Sequence, residues 1–281
     1  MAEEKLEVPG KPARSVRLSS PDKELWPESD NRPPVTKREL ANYLLSVSAP
    51  FLATSGDRPM TLQRFPNGIT GEEFFAKRPP RGVPDYVRTV MCTYPSGRRH
   101  TQLVFDEAAS LVWAAQLGTI TFHPWPVKSA DVDRPDEFRI DLDPQPGRDF
   151  FDAVTAALAL RDLMAEVGLT AFAKTSGHRG IHVYARLRPS NEFQEVRHGV
   201  IGVARELERR LPELVTTSWW KEERGERVFV DFNQANRDRT IAAAYSPRPL
   251  PGAPVSTPLT WDELQDIDPV ELTIRTVPGL L

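Results

Sequence analysis

The chain has 281 residues, 40% apolar and 27% charged, with a formal net charge of −3, which indicates a globular protein with a large core. No apolar run approaches the roughly 20 residues that span a bilayer, and the polar, acidic start lacks the apolar segment of a secretory signal. The single cysteine, Cys92, cannot form an internal disulfide, so we expect a reducing, cytoplasmic setting.

Cap signals predict four helices along the chain. A capping box begins at Thr36 and precedes LANYLLSVSAPFL, and Asp106 is the predicted cap of EAASLVWAAQLG. Asp149 is the predicted cap of a long helix that stops at Gly168. A fourth helix is expected over about 192–210.

Short β-branched or aromatic runs predict the strands MTLQRF, TITFH, EFRIDLD, AFAKT, IHVYARL, RVFVDF and TIAAAY. Helices and strands are interspersed, which indicates a mixed α and β class. From EFRIDLD to RVFVDF the order is strand, helix, strand, strand, helix, strand. This split βαβ order predicts an antiparallel four-stranded sheet with helices on one face.

Three aspartates on two of these strands are candidate metal ligands. Asp141 and Asp143 are two residues apart and therefore share a face, where their oxygens suit hard cations. Asp231 lies between Val230 and Phe232 inside an otherwise apolar run, and a carboxylate within a buried strand is costly unless it is paired, hydrogen-bonded or bound to metal. The alternatives are solvated acids at a strand end and a structural ion pair between Asp231 and Arg139 or Arg227.

Charge along the chain agrees with a site of this kind. Residues 130–169 hold 10 Asp/Glu against 4 Lys/Arg, whereas residues 170–250 hold 14 Lys/Arg against 10 Asp/Glu. Bound divalent cations would offset the acidic centre, and basic flanks would hold phosphates. Many soluble proteins of mixed charge show similar swings, so the pattern is supporting evidence only.

The turn SGHRGIH is a candidate phosphate site. Ser176 and the backbone amides around Gly177 and Gly180 can cradle phosphate oxygens, because glycine permits close backbone approach. Arg179 can neutralise a triphosphate and His182 can donate to it. The alternative is a tight hairpin turn with a packed histidine.

Weaker candidates are aromatic and basic. Phe74 and Phe75 precede Lys77, and adjacent aromatics beside a cation can stack on bases, although core packing of at least one ring is the alternative. Cations that can meet phosphates, or be solvated, are Lys221, Arg224, Arg237, Arg239 and Arg248. Lys23 and Lys37 lie near the amino terminus, one in a loop and one in the first turn of a helix.

Together these motifs resemble the archaeo-eukaryotic primase superfamily, and within it the polymerase domain of bacterial ATP-dependent DNA ligase D and its stand-alone primase-polymerase relatives. The resemblance runs from about Ser15 to Leu281. It rests on DLDP, SGHRGIH and Asp231 in matching order, with LSSPDKELWP, LQRFPNGITGEEFFAKR and TFHPW in support. Departures from the family pattern are Gln63, where several relatives have lysine, and Ser20, where relatives can have asparagine.

The resemblance implies an α+β primase-polymerase fold, with a split βαβ (RRM-like) catalytic sheet and an N-terminal αβ lobe packed against it. A flexible arm is expected over residues 1–14 and a single domain over 15–281. Within that domain we expect an N-terminal lobe of about 15–130, a catalytic module of about 131–250 and a C-terminal segment of 251–281.

The resemblance also implies roles for individual residues. Asp141 and Asp143 would hold both metal ions, and Asp231 would complete the ion nearer the primer 3′-hydroxyl. The implied nucleotide-binding residues are Ser176, Gly177, Arg179, Gly180, His182, His123, Gln234 and Arg248. The implied DNA-binding residues are Lys23, Lys37, Arg64, Phe74, Phe75, Lys77, Arg224 and Arg239, with Lys23 and Lys37 on the 5′-phosphate of a gap or break.

The implied activity is template-directed addition of ribonucleotides or deoxyribonucleotides to a primer 3′ end, by catalysis with two Mn²⁺ or Mg²⁺ ions. Its setting would be short-gap filling or double-strand-break end joining in a bacterial cytoplasm, at the nucleoid and not at a membrane. Expected partners are gapped or broken duplex DNA with a 5′-phosphate, nucleoside triphosphates, a Ku-like end-binding protein and a separate ATP-dependent DNA ligase.

Two alternatives come from other functional classes. A nucleotide-sugar glycosyltransferase also uses an Asp-x-Asp metal site, but it would not explain SGHRGIH or Asp231. A catalytically silent DNA-end-binding module would not need all three carboxylates.

Overall fold

The computed structural model describes residues 3–29 and 32–281, which form two compact units. The first unit comprises Met1–Trp125, Ala242–Ser256 and Val270–Leu281, and the second comprises Pro126–Ile241 and Thr257–Pro269. The predicted division into an arm, a lobe, a catalytic module and a C-terminal segment stays a prediction.

Strands and helices are both abundant, which confirms the mixed class. The strands in chain order are β1 (Glu3–Val8), β2 (Arg14–Ser19), β3 (Glu24–Trp26), β4 (Val35–Thr36), β5 (Pro59–Arg64), β6 (Phe74–Ala76), β7 (Arg88–Thr93), β8 (Arg99–Val104), β9 (Thr119–Pro124), β10 (Glu137–Pro144), β11 (Ala171–Thr175), β12 (Ile181–Arg186), β13 (Val215–Thr216), β14 (Val228–Asp231), β15 (Ser246–Pro247), β16 (Val255–Ser256) and β17 (Pro258–Leu259). The α-helices are α1 (Lys37–Ser46), α2 (Ser48–Ser55), α3 (Ala108–Gln116), α4 (Phe150–Glu166), α5 (Phe193–Arg210) and α6 (Glu263–Asp266). Within the described ranges, no helix is long and apolar enough to cross a membrane.

The first unit is built around strand β5, which pairs with β6, β8 and β9, while β7 extends the sheet from β8. The rings of Phe51 and Phe105 meet Phe122 edge-on in the core, at centroid distances of 5.1 and 5.8 Å. Helix α3 packs against α1 and β2. The segment predicted as a flexible arm contains β1, which pairs with β2; Met1 and Ala2 lie outside the described residues, and the flexibility stays a prediction.

Two local predictions were wrong. Asp106 does not cap α3: the N-cap position is Glu107, and the Asp106 carboxylate instead accepts from the backbone N–H of Asp57 at 3.1 Å and pairs with Arg88. TIAAAY forms no strand, since the chain turns at Tyr245, whose φ is 63°, and the strand β15 begins only after it. The capping box at Thr36 is confirmed.

The second unit is a six-stranded sheet with the strand order β13-β14-β10-β12-β11-β17. Its four central strands are antiparallel, and α4 and α5 connect them in the predicted split βαβ order. Beyond the prediction, β13 adds a parallel edge next to β14 and β17 adds an antiparallel edge next to β11.

The two faces of this sheet differ in polarity. One face is apolar and packs against α4 and α5, with Ile140 and Leu142 on β10 and Val183 on β12 in its core. Because side chains alternate along a strand, the intervening residues of β10, among them Asp141 and Asp143, point to the other face. The burial of the apolar face therefore determines which face carries the polar residues.

Helix α4 is held at both ends as predicted. The Asp149 carboxylate accepts from the backbone N–H groups of Phe151 and Asp152 at 2.9 and 3.1 Å. In return, the Asp152 carboxylate accepts from the backbone N–H of Asp149 at 3.0 Å. After Glu166, Gly168 takes a φ of 78°, the left-handed conformation that terminates helices.

Replacing Asp149 with Ala should lower the free energy of unfolding by about 1 kcal/mol, because two helix N–H groups lose their acceptor. Urea denaturation followed by circular dichroism measures this change. Glu222→Ala, at an exposed turn position, is the control and should stay within about 0.5 kcal/mol of the parent. Equal stabilities of Asp149→Ala and the parent would show that the capping box contributes nothing.

Candidate functional site

A row of four polar side chains crosses the open face of the second unit's sheet. Asp141 on β10 is the cross-strand partner of Asp231 on β14 and of His182 on β12, and His182 in turn faces Lys174 on β11. Directly opposed residues of antiparallel strands place their side chains on the same face. Residues far apart in sequence are therefore neighbours: two carboxylates, an imidazole and an ammonium.

Asp143 continues this row along β10, with its side chain on the same face as Asp141. It is exposed, and its Oδ2 accepts from Gln145 Nε2 at 3.2 Å. Asp141 is about a quarter exposed. The pair thus offers carboxylate oxygens to solvent at the end of its strand.

Asp231 lies at the end of β14 and not within it, and it is only half-buried. Its Oδ1 accepts from the backbone N–H of Asn233 at 2.9 Å and its Oδ2 from Gln234 Nε2 at 2.8 Å, which caps a 3₁₀ turn. Arg227 donates instead to backbone carbonyls, and Arg139 pairs with Glu137. The structural ion pair considered for Asp231 is therefore not formed among the described residues.

His182 is oriented by both of its neighbours. It is 3% exposed; its Nδ1 lies 2.6 Å from Lys174 Nζ and its Nε2 lies 3.4 Å from Asp141 Oδ1. With Lys174 as an ammonium, which has no lone pair, Nδ1 accepts from Lys174, and in the neutral ring Nε2 carries the proton. The ring therefore directs a donor towards Asp141 and the open face.

The SGHRGIH turn packs against the end of β10. Ser176 Oγ accepts from the backbone N–H groups of His178 and Gly180 at 3.2 and 3.1 Å, so the hydroxyl organises the turn itself. A Cβ on Gly180 would lie 2.6 Å from the Leu142 carbonyl oxygen, which requires glycine there. This contact brings the turn beside Asp141 and Asp143, and Arg179 is exposed on it.

The carboxylate and amide oxygens suit a hard cation, but in this structure their side chains do not surround a common point. All three carboxylates offer oxygen, and Gln234 Oε1 beside Asp231 is buried without a hydrogen-bond partner among the described residues. As they stand, no three acidic, histidine or cysteine side chains in residues 3–29 and 32–281 are grouped to hold an ion. Asp141, Asp143 and Asp231 are each bound to different neighbours, so rotamer changes must precede shared coordination.

A second group of predicted residues meets in the first unit. The ring of Phe75 lies 5.8 Å from that of His123, whose Nε2 is 3.1 Å from Gln63 Oε1. On β6, Phe74 is the cross-strand partner of Arg64, and both phenylalanines are exposed. The alternative, that at least one of these rings packs in the core, is therefore wrong. Burial lowers the pKa of Arg64, which donates to the Leu117 carbonyl at 2.9 Å.

Lys23 and Lys37 also lie together, since the Lys37 backbone N–H donates to the Lys23 carbonyl at 2.9 Å. The Lys37 ammonium donates to the Ser19 carbonyl at 2.8 Å, and Lys23 donates to Asn67 Oδ1 at 2.9 Å. Burial and the neighbouring charge of Lys23 lower the pKa of Lys37. Ser20, which follows Ser19 in the sequence, has a φ of 50°, a left-handed conformation that asparagine adopts more readily than serine.

The remaining predicted residues are distributed over both units. Arg224 is buried: its guanidinium lies 3.5 Å over the Phe229 ring and donates to the carbonyls of Ser218 and Trp219. Arg239 is exposed in the second unit. Lys77 lies over the Tyr94 ring and Arg248 is half-buried, both in the first unit. Direct DNA or nucleotide contacts of these side chains stay predictions.

Two residues of the site were missed from sequence. Lys174 stands in AFAKT, an otherwise apolar strand, and a buried lysine there is a signal that could have found it. Gln145, which binds Asp143, lies in a proline-rich turn without any such signal.

Comparison with known proteins agrees with this geometry. The family model described as LigD, primase-polymerase domain, matches residues 36–281. The Multifunctional non-homologous end joining protein LigD of Mycolicibacterium smegmatis is 32% identical over 253 residues, covering 89% of this chain and 32% of that protein. The Bifunctional non-homologous end joining protein LigD of Bacillus subtilis is 33% identical over 244 residues, covering 86% of this chain and 39% of that protein.

A solved structure, titled Polymerase Domain from Mycobacterium tuberculosis Ligase D in complex with DNA, is similar with a TM-score of 0.85 and 30% identity. The alignment covers 94% of this chain and 93% of that one. By contrast, the chain spans only about a third of the length of the curated relatives it matches.

The orientation of His182 can be measured directly. Nitrogen-15 NMR of the neutral ring should show an unprotonated Nδ1 and a protonated Nε2 in the parent protein. Lys174→Met should shift this towards a mixture of tautomers, because the donor to Nδ1 is gone. Lys221→Met, at an exposed lysine in the same unit, should leave the spectrum unchanged. A protonated Nδ1 in the parent would contradict the assigned hydrogen bond.

Proposed function

We propose, since this chain belongs to the family of LigD primase-polymerase domains, that it adds nucleotides to a primer 3′ end under the direction of a template. The observation that carries the proposal is the cross-strand row, in which Asp141 stands between Asp231 and His182. Neither the row nor the family match supports the glycosyltransferase alternative.

The family is metal-dependent, and the second unit offers a suitable set of ligands. Asp141 and Asp143 would hold two ions, Mn²⁺ or Mg²⁺, with Asp231 as the third carboxylate on the primer side. Bound ions of this kind stabilise the attacking and leaving oxygens of an in-line phosphoryl displacement. Gln234 would position Asp231, because its amide already binds that carboxylate at 2.8 Å.

The triphosphate would be held by residues around the SGHRGIH turn. His182 would donate through Nε2, the nitrogen that Lys174 leaves protonated. Ser176 shapes the turn, while Arg179 is exposed and can neutralise phosphate charge. His123 and Arg248, in the first unit, are further proposed contacts of the incoming nucleotide.

The proposed DNA contacts lie in both units. Exposed Phe74 and Phe75 would stack on template or primer bases, with Arg64 and Lys77 as nearby cations. Lys23 and Lys37 would hold the 5′-phosphate of a gap or break, because both carry positive charge that attracts a dianion and each charge acts on the other.

The biological setting is proposed from the named relatives, which are end-joining proteins. We propose short-gap filling or break joining with a preference for ribonucleotides, at the bacterial nucleoid. A Ku-like end-binding protein and an ATP-dependent ligase are the proposed partners.

Asp141→Asn and Asp231→Asn should each lower primer extension on a gapped duplex by at least about 100-fold. Loss of an outer-shell partner of a metal already costs 10- to 100-fold, and these residues would be direct ligands. Extension of a labelled primer with Mn²⁺, by each of the four ribo- and deoxyribonucleotides, measures the effect. Asp162→Asn, on helix α4 across the sheet, is the matched control. Normal extension by either site variant would refute the mechanism.

Lys23→Met with Lys37→Met should weaken binding to a gapped duplex by roughly 10-fold or more when the gap carries a 5′-phosphate, since charge-assisted contacts are lost. Fluorescence anisotropy with phosphorylated and unphosphorylated gaps measures the difference. In the parent, the phosphate-dependent part should decline as pH rises towards the lowered pKa of Lys37, where its ammonium loses its charge.

The control for this pair is Lys5→Met, an exposed lysine on β1 in the same unit, which should bind both duplexes like the parent. Equal loss with and without the 5′-phosphate would show that the two lysines contact DNA elsewhere.

A further inference from the structure

Two consecutive tryptophans stand exposed in the turn before β14. Trp219 is 51% exposed and Trp220 is 65% exposed, although tryptophan is highly buried on average. Trp220 directly precedes a 3₁₀ turn, with φ −76° and ψ 130°. Both indoles therefore present much of their surface to solvent.

The turn that carries these indoles is firmly held. The Arg224 guanidinium donates to the carbonyl of Ser218 at 3.2 Å and to that of Trp219 at 3.0 Å, and it stacks 3.5 Å over the Phe229 ring. A ring held on a fixed backbone loses little conformational entropy when it binds a ligand. The exposure of the indoles is thus not a consequence of a loosely held loop.

The same arginine links the turn to the carboxylates. Arg224 Nη1 lies 3.5 Å from Gln145 Oε1, and Gln145 Nε2 donates to Asp143 Oδ2 at 3.2 Å. Only Arg224 and Gln145 separate the Trp219 carbonyl from Asp143. Phe229, on which Arg224 stacks, is the cross-strand partner of Asp143, so Arg224 ties the turn that carries the indoles to the face of the proposed metal ligands.

Charge around the indoles indicates which part of a nucleic acid they would meet. Residues 219–227 contain Lys221, Arg224 and Arg227 but also Glu222, Glu223 and Glu226, so the segment is neutral. A neutral segment gives little attraction to phosphates, whereas aromatic faces stack on any base. The chemistry favours base stacking over backbone contact.

We propose that Trp219 and Trp220 form a stacking platform for unpaired bases of the nucleic acid strand that enters the carboxylate site. The proposal rests on the proposed function for the identity of the ligand, a single-stranded segment next to a primer–template junction. Each indole contributes to binding of the unpaired segment.

The test measures binding without catalysis, by anisotropy of a labelled duplex with an unpaired overhang and no nucleoside triphosphate. Trp219→Ala and Trp220→Ala should each weaken binding of the overhang substrate by about 5-fold or more, while blunt duplex binding stays unchanged. Trp→Phe variants should bind within about 3-fold of the parent, since a phenyl ring still stacks. The dependence of affinity on salt should keep its slope, because no phosphate contact is lost.

Two controls separate stacking from other causes. Phe151→Ala removes an exposed aromatic from α4 in the same unit and should have no effect. An overhang of abasic sites should bind to the parent at least as weakly as the normal overhang binds to the alanine variants. Overhang affinities of both alanine variants equal to that of the parent, as expected if the indoles contact a protein, would overturn the proposal.

Failure of this proposal can be distinguished from failure of the polymerase proposal. If primer extension fails for the parent while the tryptophans still govern overhang binding, the platform stands and the proposed reaction falls. If extension succeeds while the alanine variants bind normally, the platform alone is wrong.

Discussion

The antiparallel register of β10 between β12 and β14 is the constraint on which the site depends. It sets Asp141 opposite both His182 and Asp231, so one strand position gathers residues spread over 91 positions of sequence. A slip of one residue would turn each of these side chains to the helix-covered face. That face is filled by Ile140, Leu142 and their apolar neighbours, so burial of the core stabilises the register.

Burial of the polar row costs folding free energy, and the hydrogen bonds within the row offset that cost. Lys174 and His182 are each 3% exposed, and burying such groups without partners costs several kcal/mol. The 2.6 Å contact between them, with Tyr184 beneath the ammonium, supplies a partner and an aromatic face. A row of this kind at the exit of β10 is better explained by a reaction than by stability, since apolar residues would stabilise the sheet more simply.

The sequence predicted the elements that depend on local patterns. Short β-branched and aromatic runs predicted the strands of the split βαβ order, and Asp149 and Gly168 placed the ends of α4, because these signals act within a few residues. Tertiary contacts overrode local signals elsewhere: Asp106 pairs with Arg88 instead of capping α3. The shared face of Asp141 and Asp143 follows from alternation, but the placement of Lys174 beside His182 depends on strand pairing, which no single segment encodes.

The central claim is that carboxylates from β10 and β14 hold divalent cations together. Anomalous diffraction from crystals soaked in Mn²⁺ tests it most directly, because the ions are located without any assay of activity. Anomalous peaks are expected between Asp141, Asp143 and Asp231, with these side chains turned from their present hydrogen bonds. Mn²⁺ bound only at other acidic groups, such as Asp131 and Asp133, would contradict it.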